Sequence, residues 1–263
     1  MLKNKKLFLL DIDGTIAIDG VLIDGTKEFM SHVTNINGKY IFITNNSTKS
    51  IKDYIEQFTE LGIIVDESNF ITASYATALY LKEHYKGKKI FVVGTKSFIE
   101  ELKSFEINTT EELGEDIECA VVAYDNELTY KKIEKICELL LTKKNIDYIA
   151  TNPDLACPTK FGFVPDCGAI CNMIKAAVKR EPIFIGKPNK IIGDLCIKKS
   201  GFMKEEALVI GDRLYTDIAC GINSNIDTAL VLTGEARRED IETTIFKPEY
   251  IFENIKELYE KII

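Results

Sequence analysis

Apolar positions along the chain fall in short continuous runs rather than in alternation. Residues 7–10, 40–44, 90–93, 120–124, 148–151, 183–185, 207–210, 228–232 and 250–252 are such runs, rich in β-branched and aromatic side chains. Short unalternating runs predict strands covered on both faces, as in a parallel sheet. Helical patterns lie between them and stop at glycine: residues 28–37 before Gly38, 51–61 before Gly62, and 189–200 before Gly201. A glycine just past a helix supplies the left-handed cap conformation. Strand alternating with helix predicts an α/β fold with right-handed crossovers. One stretch differs. Residues 15–23, TIAIDGVLI, carry two short alternating arms around Asp19-Gly20, which predicts a β-hairpin.

Composition narrows the class of protein. The chain has 263 residues, 46% hydrophobic and 28% charged, with a net charge of -8 and a pI near 5.1. That suits a globular protein with a sizeable core. Phosphate-backbone contact needs clustered Lys and Arg, so an acidic chain with scattered basic residues predicts no nucleic-acid partner. The densest basic stretch, residues 82–89, also holds Glu83 and reads as a solvated helix end.

Seven cysteines and no C-x-x-C predict reduced thiols rather than a disulfide framework. Cys167 and Cys171 could share a helix face, and we read them as buried thiols rather than zinc ligands. The N-terminal apolar stretch ends after four residues at Asp11, short of the roughly 7–15 that a signal peptide needs. No run approaches the roughly 20 apolar residues of a membrane span. The expected location is the cytoplasm.

Chemistry gathers at the tips of the predicted strands. In open α/β sheets, ligands bind outside the carboxyl ends of the strands. The first run ends in Asp11-Ile12-Asp13-Gly14, which places two carboxylates roughly 6.6 Å apart along one side of an extended chain. The second ends in Thr44-Asn45-Asn46. A later run ends in Gly186-Lys187, and another in Gly211-Asp212, with Asp217 following. A lone Asp at a strand end is commonly a helix cap, and a Lys before Pro a surface loop. Four polar tips on apolar strands are harder to explain that way. Together they offer carboxylates, a hydroxyl, amide donors and one cation.

The set D-x-D-G-T, T-N-N, G-K-P and G-D-x-x-x-T-D, in this order, resembles the four motifs of the haloacid dehalogenase superfamily. More narrowly it is similar to the NagD and 4-nitrophenylphosphatase branch. The resemblance implies a Rossmann-like parallel-sheet core with a smaller α/β cap inserted between motifs two and three. About 140 residues separate Asn46 from Lys187, and residues 87–181 carry strand-like runs of their own. The expected division is a catalytic core of 1–86 and 182–263 with a cap of 87–181.

The resemblance also implies roles. Asp11 would be the nucleophile of a phosphomonoester hydrolase and Asp13 the acid and base. Thr44 and Asn45, with Asn46 held more loosely, would grip the phosphoryl oxygens, and Lys187 would neutralise charge. Asp217 would orient Lys187 or a metal-bound water. Mg²⁺ would be held by Asp11, the main-chain carbonyl of Asp13, and Asp212. Tyr124, Asn152, Asp154 and Cys157 are the cap residues expected near the leaving alcohol, although Asn-Pro and Pro-Asp also read as turn formers. Pyridoxal-phosphate phosphatases of the branch carry His where Cys157 stands, so that substrate is not implied. Nucleoside monophosphates, sugar phosphates and small aryl or glycolyl phosphates all remain open. Cap surfaces in the branch often pair, so a homo-oligomer is compatible with the resemblance.

The alternatives are a mutase, a dehalogenase and a non-catalytic binding protein on the same fold. A dehalogenase would not need Asp13, because no alkoxide has to be protonated. A binding protein would be expected to lose an acid at the tips, and none is lost. The chain has no G-x-G-x-x-G after its first strand and no G-x-x-x-x-G-K-[ST], which excludes dinucleotide-binding and P-loop readings.

Overall fold

Leu7, Phe8, Leu9 and Leu10 offer apolar side chains to both faces of a strand, and all four are fully buried as β1 (Leu7–Leu10). The computed structural model describes residues 2–18, 20–47, 49–159 and 161–263. The chain divides into two units, residues 1–44, 54–71 and 187–263, and residues 45–53 and 72–186.

The first unit is built on β1. Numbering in chain order, β2 (Ala17–Ile18) and β3 (Val21–Leu22) pair antiparallel, as the alternation around Asp19-Gly20 predicts; Asp19 itself lies outside the described residues. β4 (Lys39–Thr44) and β5 (Phe70–Thr72) lie to one side of β1. β13 (Ala207–Gly211), β14 (Asp227–Val231) and β15 (Tyr250–Phe252) lie to the other. The order is β15-β14-β13-β1-β4-β5, and β15 through β4 pair in parallel. Phe42, Phe58 and Phe70 form an aromatic cluster, with ring centroids 4.5 to 5.6 Å apart.

The second unit repeats the logic. β6 (Lys89–Val93), β7 (Asn108–Thr110), β8 (Ile117–Val122), β9 (Asp147–Ala150) and β12 (Ile183–Phe184) form a parallel sheet in the order β12-β9-β8-β6-β7. β10 (Ala156–Thr159) and β11 (Gly162–Pro165) add an antiparallel hairpin. α5 (Tyr130–Thr142) and α6 (Cys167–Val178) cover the sheet with Ile133, Ile136, Leu139, Leu140, Ile170 and Ile174.

Each apolar run is a strand. Two features differ from expectation. The left-handed residue after α1 (Thr26–Asn35) is Asn37, with φ 53°, not Gly38. Gly38 is there for close approach, since a Cβ would lie 2.6 Å from the carbonyl oxygen of Lys6. Gly62 and Gly201 do take the left-handed conformation after α2 (Ile51–Glu60) and α7 (Lys190–Ser200). β5, β7 and the β10–β11 hairpin carried no apolar run; the hairpin's Pro158 and Pro165 read as turn residues. α3 (Ala73–His84) groups with the second unit, where Tyr75 meets Phe105, just beyond the end of α4 (Lys96–Ser104), edge to face at 5.5 Å.

All seven cysteines are free thiols. Among the described residues no helix is long and apolar enough to cross a membrane.

Glu101 on α4 shows what burial does to a carboxyl here. Its Oε2 is buried with no hydrogen-bond partner among the described residues, and burial, with Asp53 nearby, pushes its pKa up to about 7. A carboxyl whose folded pKa lies above its unfolded value destabilises the fold as pH rises through that window. Glu101→Gln is therefore expected to raise the thermal midpoint by a few degrees at pH 8 and to leave it nearly unchanged at pH 4.5. Paired melts at the two pH values check this.

Candidate active site

The sheet of the first unit reverses direction at β1. The chain runs outward through β4 and β5, then returns on the other side of β1 as β13, β14 and β15. Such a switch point leaves a crevice at the carboxyl ends of the two central strands. Asp11 stands at the end of β1, its N–H donated to the carbonyl of Ile210 at 2.9 Å. Asp212 stands at the end of β13, directly after Gly211.

Lys187 joins these tips. Its Nζ donates to Asp11 Oδ1 at 2.5 Å, to Asp217 Oδ1 at 2.6 Å and to the carbonyl of Ile43 at 3.0 Å. The Lys187 and Asp217 side chains are 3% and 1% exposed, and Asp11 is 13% exposed. Asp217 lies in a widened π-type turn, Leu214–Ile218, with the N–H of Ile218 bonded to the carbonyl of Arg213. Such turns insert one extra residue and re-aim a side chain. The second oxygen of Asp217 accepts from the N–H of Arg213 at 3.0 Å.

Asp212 is held from the other side. Its Oδ2 accepts from the N–H of Glu235 at 2.7 Å, and Thr15 Oγ1 donates to its Oδ1 at 3.4 Å. Gly14 has φ +90°, and a Cβ on it or on Gly234 would lie 2.7 or 1.9 Å from Asp212 Oδ2. Only glycine leaves room for this carboxylate. Thr44 is buried at the end of β4, and Asp13 is exposed, bridged to Ala17.

The electrostatics are those of excess negative charge. Carboxylate oxygens of Asp11, Asp212 and Asp217 lie within 4.8 Å of one another. Burial pushes Asp11 well above the usual carboxylate range; Lys187 opposes this, while Asp217 and Asp212 add to it. Burial and the neighbouring Asp217 push Asp212 up to about 7, against the pull of the Glu235 N–H. Burial pulls the Lys187 ammonium down, but Asp11 and Asp217 outweigh it and hold the proton more firmly than usual. Hard oxygen donors, three carboxylates against one ammonium, and burial together suit a hard divalent cation. Both Asp217 oxygens have partners in Lys187 and the Arg213 N–H, and both Asp212 oxygens in Thr15 and the Glu235 N–H.

The remaining candidates lie in the second unit. Asn45 Nδ2 donates to Asp154 Oδ2 at 2.7 Å, and Asn152 Nδ2 to the same oxygen at 2.9 Å. Asn152 and Asp154 are 0% and 2% exposed. Asn46 and Cys157 are half-buried. The Tyr124 hydroxyl is pushed up by burial and by its contact with Cys157. Sequence reasoning did not single out Glu235 or the Arg213 amide. Glu235 follows the run at 228–232 as a further polar tip, TGE, and that signal was available.

A family model described as haloacid dehalogenase-like hydrolase matches residues 8–108, and a second, HAD-hydrolase-like, matches residues 184–258. The acid sugar phosphatase of Staphylococcus saprophyticus is 30% identical over 99% of both chains. The 5'-nucleotidase YutF of Bacillus subtilis is 31% identical over 97% of this chain and 98% of its own. The crystal structure of a 4-nitrophenylphosphatase from Thermotoga maritima superposes with a TM-score of 0.94 at 36% identity, covering 100% of this chain and 99% of that one. The chain belongs to the haloacid dehalogenase-like hydrolases.

The carboxylate set predicts cation binding that competes with protons. Mg²⁺ titrated into the protein is expected to bind at neutral pH and to weaken as pH falls below about 7, where Asp212 takes up a proton. Asp212→Asn should lower the affinity by at least about tenfold. Calorimetric titrations at pH 5.5 and 7.5 read both effects.

Proposed function

We propose that this phosphomonoester hydrolase of small phosphate esters works through an aspartyl-phosphate on Asp11, with Mg²⁺ as its cofactor. The observation that carries the reading is Lys187, buried between Asp11 and Asp217 at the switch point of the sheet. An ammonium held there neutralises charge where a transferring phosphoryl group gathers it.

The steps balance as two displacements. Lys187 grips Asp11 Oδ1, and Asp11 Oδ2 attacks phosphorus while the ester P–O bond breaks. Asp13 gives its proton to the leaving alkoxide. Asp13 then takes a proton from water, whose oxygen attacks phosphorus and breaks the bond to Asp11. Splitting one displacement into two lowers each barrier. The Thr44 hydroxyl holds a phosphoryl oxygen. Asp11, the main-chain carbonyl of Asp13, and Asp212 would hold Mg²⁺, which would supply positive charge to the transferring phosphoryl group. Asp217 keeps Lys187 in line, and Thr15 and the Glu235 amide keep Asp212 in line.

Sugar phosphates, nucleoside monophosphates and aryl phosphates are the substrate classes that the names of the relatives support. Tyr124 and Cys157, which meet in the second unit, are the proposed contacts to the leaving alcohol. Free thiols throughout support a reducing cytosol as the site of action.

The test is phosphate release from 4-nitrophenyl phosphate, a hexose phosphate and a nucleoside 5'-monophosphate, with Mg²⁺ and with EDTA. Metal-dependent release is expected, together with a loss of at least about 10³-fold in Asp11→Asn. Near-wild-type turnover in Asp11→Asn would overturn the nucleophile assignment.

A further inference from the structure

The chain crosses between the two units at 44/45, 53/54, 71/72 and 186/187, and the first and last of these crossings border residues assigned to the chemistry. Thr44 and Lys187, the residues on the first unit's side, are both assigned to the chemistry. Asn45 and Gly186, the residues on the other side, meet each other. A Cβ on Gly186 would lie 2.6 Å from Asn45 Oδ1, so glycine leaves the space that the Asn45 side chain fills.

Both residues are anchored in one buried polar network. Asn45 Nδ2 donates to Asp154 Oδ2 at 2.7 Å. Asn152 Nδ2 donates to that oxygen at 2.9 Å and to Asp166 Oδ1 at 3.0 Å. Thr151 Oγ1 donates to Asn152 Oδ1 at 2.8 Å, so its single proton is committed there. The 3.2 Å bond between Ser47 and Thr151 is therefore donated by Ser47. Ser47 Oγ in turn accepts the N–H of Tyr124 at 3.0 Å. The N–H of Gly186 donates to the carbonyl of Thr151 at 2.7 Å, and that of Gly168 to the carbonyl of Asp154 at 2.8 Å. Asn45, Ser47, Thr151, Asn152, Asp154 and Asp166 are all buried.

Buried polar networks in which each member satisfies another are rigid, because breaking one bond strands a partner away from water. This one makes Asp154 its junction, since a single carboxylate oxygen receives two amides. We propose that Asp154 is a positioning residue: through Asn45 and the Thr151–Gly186 bond it fixes the two chain crossings that carry Thr44 and Lys187, and it does not touch the leaving alcohol. This rests on the phosphatase reading above. It assigns the T-N-P-D stretch to phosphoryl-group geometry rather than to substrate choice.

The two roles separate in kinetics. A residue that touches the leaving group changes relative rates among esters. A residue that positions the phosphoryl-binding groups changes kcat by one factor for every ester, because each ester presents the same phosphoryl group. The experiment measures kcat and KM of wild type, Asp154→Leu and Asp154→Asn with the three esters named above, alongside thermal midpoints. Asp154→Leu is expected to lower kcat by about 10–100-fold, equally for all three and with KM within about threefold. Asp154→Asn keeps an oxygen that can accept both amides and should restore kcat to within about threefold of wild type. In a double-mutant cycle, Asn45→Ala with Asp154→Leu should lose no more than the worse single variant.

Unchanged kcat in folded Asp154→Leu overturns the proposal, as do additive losses or fold-changes that differ among esters by more than about tenfold. Should Asp154→Leu not fold, Asp154→Ser carries the same comparison. Wild-type protein that hydrolyses none of the esters removes the phosphatase reading and this inference with it. An active wild type with an indifferent Asp154 removes only the inference.

Discussion

A buried ammonium between two carboxylates organises the first unit. Taking Lys187 out of water costs several kcal/mol unless opposite charge lies within reach, and removing one partner leaves an uncompensated ion. Asp11 and Asp217 supply that charge at hydrogen-bond distance. The neighbouring backbone is shaped around this need. The carbonyl of Ile43 takes a third Nζ proton, the π-type turn swings Asp217 inward, and the Arg213 amide holds its other oxygen. Gly14 and Gly234 clear the space in which Asp212 joins the set. The arrangement remains short of positive charge, which suits a hard cation.

The second unit solves a different problem with uncharged donors. Its network of hydroxyls, amides and the Asp154 and Asp166 carboxylates holds the segments just beyond Thr44 and just before Lys187. Both units are parallel sheets, so both present strand tips, and the tips carry the polar residues in each.

Much of this was legible in the sequence for a simple reason. A strand covered on both faces must be apolar throughout, so β1, β4, β13 and β14 announce themselves, and so do the polar residues that end them. Asp11 and Lys187 lie 176 positions apart and each follows an apolar run, but Lys187 follows β12 of the second unit's sheet, so the pattern marked both residues as polar tips without showing that they meet. β7 and the β10–β11 hairpin carried no such signal, because polar strands and prolines read as turns. The Asn45–Asp154 bond spans 109 positions and joins two residues that each look like a loop. Local pattern specifies an element, and it does not specify which distant side chain that element meets. The cap of α1 shows the same limit at short range: Gly38 looked like the left-handed residue, while close approach to Lys6 was the actual demand on it.

The most direct test is to quench the enzyme with acid during turnover of a phosphate ester in Mg²⁺ and to locate phosphoryl groups by peptide mass spectrometry. The account predicts a phosphoryl group on the peptide that contains Asp11, present during turnover and absent from enzyme quenched without substrate. Steady turnover with no phosphoryl group on that peptide, or with one on another residue, would contradict it.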